Sequence, residues 1–442
     1  MQALSSLPQL LSSPLLAEPS GSETQTWSWF TRFAFRFCFV YFVLFCLCTQ
    51  LFSGLFFLPG LAILPPVRQL VFWFAAHLFG YKQLLVYFSG SGDKVFDWVL
   101  VFCLLVISAI GTCVWSTLDR RPSYTTLYHW FRVLVRFALA GQMLNYGFIK
   151  VFPMQMSFPP LVKLLERFGD FSPMGVLWSS IGASPAYERF VGGAELLAGI
   201  LLVIPAASRL GALIAQIDVI EVFVLNMTYD VPVKLFSFHL VWMAAFLLIP
   251  ERLRLIQFCL LDCPVSPARS DRLFTPRDAN RIATVSQLAF GAFLFLSKLL
   301  MMSIMWYMTH GSASQSPLYG IWNVNEMTID GQTHPPLLTD SARYRRVVFD
   351  SPQLTTFQRM DDTFAHIPSS FDRKNSTLTL SLPGSMTGKG QLTASRKDHN
   401  HLTLQGRLGS QAIHMELTLL DRNQFTLVNR GFHWIQEYPF NR

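Results

Sequence analysis

Asn145, Lys150, Glu195, Asp218, Glu221 and His239 lie within or at the ends of stretches otherwise built from leucine, valine, isoleucine and phenylalanine. Ionisable groups in such surroundings are costly and ordinarily face the inside of a helical bundle, where they bind ligands or pass protons. Two chemistries fit these residue types. Carboxylates beside a histidine can relay a proton. With Lys150, the same groups can hold a quinone headgroup by hydrogen bonds to its two carbonyls. A plainer reading is that they only bond helices together, because "GGAELLAG" supplies Gly192, Gly193, Ala194, Ala198 and Gly199 for close helix packing. Glu195, Glu221 and His239 have the ligand types for a metal ion but no tight ligand spacing, so no metal is expected. Pairing His77, His129 and His239 around a haem is disfavoured further.

The elements that must position these groups are apolar windows of about 20 residues, the length that crosses a hydrocarbon core of about 30 Å. About seven are present, over residues 37–57, 98–116, 131–148, 190–204, 210–227, 235–249 and 282–308. The segment 67–88 is aromatic and amphipathic but interrupted by Arg68, His77, Gly80 and Lys82, which predicts a pair of interfacial helices rather than a span. Between the last two spans Arg252, Arg254, Arg269, Arg272, Arg277 and Arg281 make the densest basic cluster, and basic loops stay cytoplasmic. Alternation then puts the N-terminus inside, with Arg32 and Arg36 at its border, the turn carrying Arg209 inside, and everything beyond the last span outside.

At a rise of about 1.5 Å per residue, Glu195, Glu221 and His239 come roughly 8–10 Å below the outer boundary. Asn145 is level with them, Lys150 sits at the outer end of its span, and Asp218 lies one turn deeper than Glu221. The short connection carrying Asn226, Tyr229, Asp230 and Lys234 is expected to cover this layer as a lid. Lys298 falls in the middle of the last span, with Asp218 a candidate partner.

Composition places the chain in the membrane class: of 442 residues, 51% are hydrophobic and only 14% charged. The net charge of +8 is spread among span ends without a concentrated basic stripe, so nucleic acid is excluded as a partner and membrane lipid is the expected surrounding. No cysteine follows Cys263 and no disulfide framework is implied. Residues 1–29 hold Pro, Ser and Glu without a positive n-region, which predicts a flexible cytoplasmic tail rather than a cleaved signal. A transmembrane bundle is assigned to 30–310.

From 311 to 442 the pattern changes to short alternating runs split by Gly, Pro, Asp and Asn, among them "GIWNVNEMTI", "YRRVVFD", "LTTFQRM", "STLTLSL", "QLTASR", "HLTLQGRL", "AIHMELTLL" and "FTLVNRGFHWI". These predict an extracytoplasmic antiparallel β domain of eight or nine strands, a small barrel or sandwich. Gly320-x-Trp322 at its start and Arg430 near its end are similar to the lipocalin-type arrangement, in which a Trp at the barrel base stacks under an Arg. Trp322 and Trp434 equally suit ordinary core positions.

The third to sixth spans, with a core at about 131–250, resemble the DoxX-like membrane family. The residues that carry the likeness are Gly147 and Lys150 ending one span, Glu195 and Gly199 inside the next, and Pro205, Arg209 and Gly211 in the turn that follows. The family comprises small four-helix membrane proteins named for a subunit of a thiosulfate:quinone oxidoreductase. The resemblance implies a quinone-linked membrane subunit in a bacterial inner membrane, with a redox partner subunit. The first two spans, the last span and the β domain depart from the family's minimal pattern. The alternative is a non-catalytic envelope protein that binds or hands on a lipid or other hydrophobic ligand through its β domain.

Overall fold

The computed structural model describes residues 26–87, 89–261, 263–265, 273–310, 315–382 and 389–441. Residues 1–25 of the expected tail 1–29, the arginines Arg269 and Arg272 and the domain junction at 311 lie outside them. The chain folds as a helical part followed by a closed β-barrel.

Every expected span coincides with helix. Helices α1 (Trp29–Cys48) and α2 (Gln50–Phe56) divide the first. The break falls at Thr49, where the backbone is extended and the hydroxyl donates to Phe45 O at 2.7 Å, a side-chain bond that competes with the helical ladder. Next come α3 (Pro65–Leu78), α4 (Val95–Leu118), α5 (Thr125–Val151), α6 (Pro173–Gly182), α7 (Pro185–Val203), α8 (Ser208–Thr228), α9 (Lys234–Leu248), α10 (Arg252–Cys259) and α11 (Arg277–His310). The expected pair of interfacial helices over 67–88 is one helix, α3. Gly80 adopts φ +75° just past its end, and the described residues from there to Lys94 form no helix or strand.

Among the described residues five helices are long and apolar enough to cross a membrane: α1, α4, α8, α9 continued into α10, and α11. The other two expected spans, α5 and α7, carry four buried charges, Arg136 and Lys150 on one and Glu188 and Glu195 on the other. Helix α5 lies at the centre, in contact with α1, α2, α7, α8, α9 and α11. Of its 27 residues 14 are buried, so it is sheathed by protein rather than by solvent or lipid. Arg36 on α1 ties the periphery to this centre, donating to Tyr124 Oη, to Ser116 Oγ at 2.8 Å and to Asp119 O at 2.7 Å.

The barrel is an antiparallel meander of eight strands: β1 (Gly320–Ile329), β3 (Tyr344–Ser351), β4 (Leu354–Arg359), β5 (Phe364–Asp372), β6 (Thr377–Ser381), β7 (Lys389–Arg396), β8 (His401–Leu408) and β9 (Gln411–Leu419). Pairing of β1 with β9 closes it, and β2 (Gln332–Thr333) is a two-residue ladder on the end of β1. Closure removes the exposed edges that an open sheet would present. Trp322, Met327, Phe349, Phe357, Leu392 and Met415 are among the residues filling the interior.

Two expectations for this part are corrected. The run 425–435 is not a strand: it forms a short helix, α12 (Thr426–Asn429), and an exposed tail, because the closed barrel has no edge left to accept it. The guanidinium over Trp322 is that of Arg396, 5.4 Å from the ring centroid, whereas Arg430 stacks on Phe440 at 4.5 Å.

Barrel and bundle meet at the connection between α5 and α6. Leu161 is buried with Ile321 and Val348, which point outward from the barrel wall, and Leu161 N–H donates to Asp350 Oδ2 at 3.0 Å. Arg167 pairs with Asp362 at 2.5 Å, and the Arg422 guanidinium lies 5.4 Å from the Phe158 ring centroid. The C-terminal ends of α5 and α11 therefore share one side of the bundle.

Candidate functional site

Glycines on α5 and α7 bring the two helices into backbone contact. A Cβ on Gly147 would stand 2.8 Å from Leu196 N, and one on Gly192 would stand 2.7 Å from Gly147 O. Gly199 is pressed against Leu144 in the same seam, whereas Gly193 faces open space. This approach sets Lys150 Nζ directly on Glu195 Oε1 as a buried ion pair, the two side chains only 7% and 3% exposed. Gly147 and Gly199 thus belong to the seam that brings Lys150 and Glu195 together.

The pair opens into a cavity of about 420 Å³ walled by α5 to α9. Lys150, Glu195, Asp218, Glu221 and Asn226, all singled out from the sequence, line it. Apolar and aromatic side chains make up most of the remaining wall, among them Met143, Leu177, Trp178, Val191, Val222 and Phe236. Three carboxylates thus face one lysine. Three lining oxygens are buried without a hydrogen-bond partner among the described residues: Glu195 Oε2, Asp218 Oδ2 and Gln155 Oε1. Unpaired buried acceptors are rare because each forfeits its hydration without compensation.

The lid is present but only partly as expected. Val231, Pro232 and Val233 roof the cavity, and Asn226 Nδ2 donates to Ser237 Oγ at 3.0 Å beneath them. Tyr229, Asp230 and Lys234 do not line it; Lys234 instead pairs with Asp230 at 2.8 Å. Asp93 holds the roof from the other side, its carboxylate accepting Lys234 N–H at 2.8 Å and Leu235 N–H at 2.9 Å at the start of α9. Gly92 N–H donates to Pro232 O at 2.7 Å. Below the roof, Glu188 Oε1 accepts Met156 N–H at 2.9 Å, which fixes the 152–156 segment against the cavity.

His239 is not part of the site. Its Nε2 lies 2.6 Å from Tyr41 Oη, its Nδ1 lies 2.6 Å from Leu235 O, and its ring stacks on Phe45 at 3.9 Å. It faces α1, and the predicted grouping with Glu195 and Glu221 does not form. Asn145 does not line the cavity either. Lys298 rests 5.6 Å from the Phe57 ring centroid rather than against Asp218. Among the described residues no three or more His, Cys, Asp and Glu side chains gather as a metal ion requires.

Asp93, Tyr146, Gln155 and Glu188 were not anticipated. Tyr146 shares the polar face of α5 with Lys150, four residues on, a spacing that could have flagged it; its hydroxyl accepts Gln50 Nε2 at 2.9 Å. Asp93 caps a helix 141 residues away in sequence, a relation no local pattern carries.

No family model matches the chain, and no solved structure matches it. An uncharacterised protein of Bacillus subtilis (strain 168), YwoB, is 29% identical over 126 residues, covering 26% of this chain and 74% of that protein.

Proposed function

We propose that the chain is a multi-pass membrane protein that binds a quinol in the Glu195 cavity, as the membrane subunit of a quinone-linked redox system. The observation that supports this is the set of three unpaired acceptors, Glu195 Oε2, Asp218 Oδ2 and Gln155 Oε1, in an apolar-walled cavity. A quinone headgroup offers carbonyl acceptors, and Lys150 is already engaged with Glu195. A quinol offers two phenolic hydroxyl donors, which complement the free oxygens, while its ring suits walls such as Trp178 and Phe236. The resemblance to DoxX-like proteins points the same way. On oxidation the two hydroxyl protons pass to the cavity carboxylates, and the two electrons leave to a redox partner.

In this reading all seven long helices cross a bacterial inner membrane, the N-terminus is cytoplasmic, and the barrel stands outside, able to receive the partner. The alternative of a ligand inside the barrel is disfavoured by the side chains that fill its interior.

The test is anaerobic titration of the full-length protein in lipid nanodiscs with a short-chain quinol and the matching quinone. Quinol should bind more tightly, by about tenfold for each hydrogen bond made to a free acceptor. Glu195→Gln and Asp218→Asn should reduce that preference. Equal binding of the two redox forms, or binding indifferent to both substitutions, removes the cavity from quinol chemistry.

A further inference from the structure

Beyond α12 the chain forms a segment whose polarity is reversed. Residues 431–441 are exposed throughout, and Phe432, Trp434, Ile435 and Tyr438 are between 77% and 90% exposed. Arg430 is instead half-buried at the centre of the segment. Its Nη1 lies 2.9 Å from His433 Nε2, its Nη2 donates to Gln436 Oε1 at 3.2 Å, and its guanidinium stacks on Phe440. Gly431, at φ +63°, makes the turn that lets the chain curl back around this side chain. A peptide surrounded by water covers its rings and leaves its guanidinium to the solvent. This one does the opposite.

The segment leaves from the seam between barrel and bundle. Leu420 N–H donates to Ile321 O at 2.8 Å, and Leu420 and Phe425 pack on the cluster around Leu161. Phe432 follows Phe425 by seven residues, a reach of at most about 25 Å. Phe158, which meets Arg422 in the same seam, follows the C-terminal end of α5, and Phe168 is exposed on the same connection. With the barrel outside, that end of the bundle is where the outer headgroups of a bilayer begin.

We propose that Phe432, Trp434, Ile435 and Tyr438 anchor the barrel to the outer lipid interface, seated among the headgroups and the upper acyl chains. The proposal rests on the reading that the bundle spans a bilayer with the barrel outside; it is independent of whether a quinol binds at Glu195. An exposed apolar patch marks a contact with a membrane or with another protein. The position at the outer end of the helices selects the membrane, and so does the residue set: tryptophan and tyrosine favour this zone because their rings are apolar while their N–H and O–H stay hydrated. Residues 430–441 carry one arginine and one glutamate, so the contact is one of apolar burial and needs no anionic headgroup. It holds the seam end of the barrel against the bilayer.

Tryptophan fluorescence of the full-length protein in phosphatidylcholine nanodiscs, with and without bromine on the acyl chains, tests this; the signal lost in Trp434→Phe identifies the contribution of Trp434. That contribution should be quenched by the brominated lipid and shielded from acrylamide. Phe432→Ser, Ile435→Ser and Tyr438→Ser together touch no buried residue of either core and should lower the ratio of docked to free segment about a thousandfold, roughly tenfold for each side chain. Trp434 should then pass from lipid quenching to acrylamide quenching, and lipid quenching that survives the three substitutions would overturn the proposal. Adding phosphatidylglycerol should change nothing; quenching that appears only with that lipid would overturn the proposal by making the contact one of charge. Acrylamide quenching of Trp434 in the wild-type protein, without lipid quenching, would overturn it in favour of a protein partner. Trp98 and Trp242, exposed on α4 and α9 and identified in the same way, report on the bundle. If the brominated lipid quenches them and spares Trp434, the anchor alone falls; if it spares all three, the membrane-spanning reading falls with it.

Discussion

The bundle and the barrel both bury polar groups, but they treat them in opposite ways. In the barrel, Thr355 bonds Ser369 at 2.9 Å and Gln358 joins Arg346 at 2.8 Å. Arg343 donates to the carbonyls of Val324, Asn325 and His334, leaving only its Nε unmatched. In the bundle cavity, three acceptors on three separate elements are left open. An unmatched buried acceptor costs about 1–3 kcal/mol, and under the proposed function a bound hydroxyl donor offsets that cost. The barrel closes its buried polar groups off, whereas the cavity leaves three of its acceptors open.

Four measurements break or sharpen that contrast. The largest effect belongs to the barrel: Trp322→Ala removes a fully buried ring and should cost about 3–5 kcal/mol. Hydrogen exchange should report loss of protection across β1 and β7 with the helices of the bundle still protected; joint loss in both regions would show that they are not separately stable. In the bundle, Lys150→Met strands Glu195 as a buried charge and should cost about 3 kcal/mol in thermal unfolding. Adding Glu195→Gln to that variant should restore most of the loss. A double variant as unstable as the sum of the singles would mean the pair is not coupled.

A smaller effect is expected from Asp218→Asn. Its open oxygen supports no internal contact, so stability should stay within about 0.5 kcal/mol while quinol affinity falls about tenfold. A large loss of stability with unchanged affinity would turn the site into a structural one. The smallest effect concerns the seam between the regions. Burial alone would raise the Asp362 carboxyl, but hydrogen bonding and charge from Arg167 and Arg345 hold it below the usual carboxylate range. A lowered folded value means that its contribution is complete above the ordinary value near about 4 and is lost as pH falls through the folded one. Exchange of the amides in 158–167 should therefore quicken in the acid limb, and Arg167→Ala should flatten that response.

Much of this arrangement is legible in the sequence. The long helices stand out because apolar windows of bilayer length mark them, although only five of the seven expected spans, among the described residues, are long and apolar enough to cross a membrane, and seven of the barrel strands follow from their alternation. Strand β5 escapes because Pro368 interrupts its pattern, although the strand pairs with both neighbours around that residue. Lys150 and Glu195 are each recognisable as odd residues, but their direct pairing depends on the Gly147–Gly192 approach between two helices. His239 shows the corresponding limit. Rise per residue gives depth along a helix, whereas the direction a side chain faces depends on its neighbours, and Tyr41 and Phe45 draw this one toward α1. Arg396 rather than Arg430 reaches Trp322 for a similar reason, since barrel closure decides which strand passes beneath the ring.

The connection after α5 has one further consequence. Gln155 and Met156 form part of the cavity wall, and Leu161, five residues on, is pinned to the barrel through Val348 and Asp350. Five residues reach at most about 17 Å even when fully drawn out. A push or twist on the barrel is therefore transmitted through a short tether to the mouth of the chamber that holds Glu195, making the barrel a handle on the site as well as a neighbour to it.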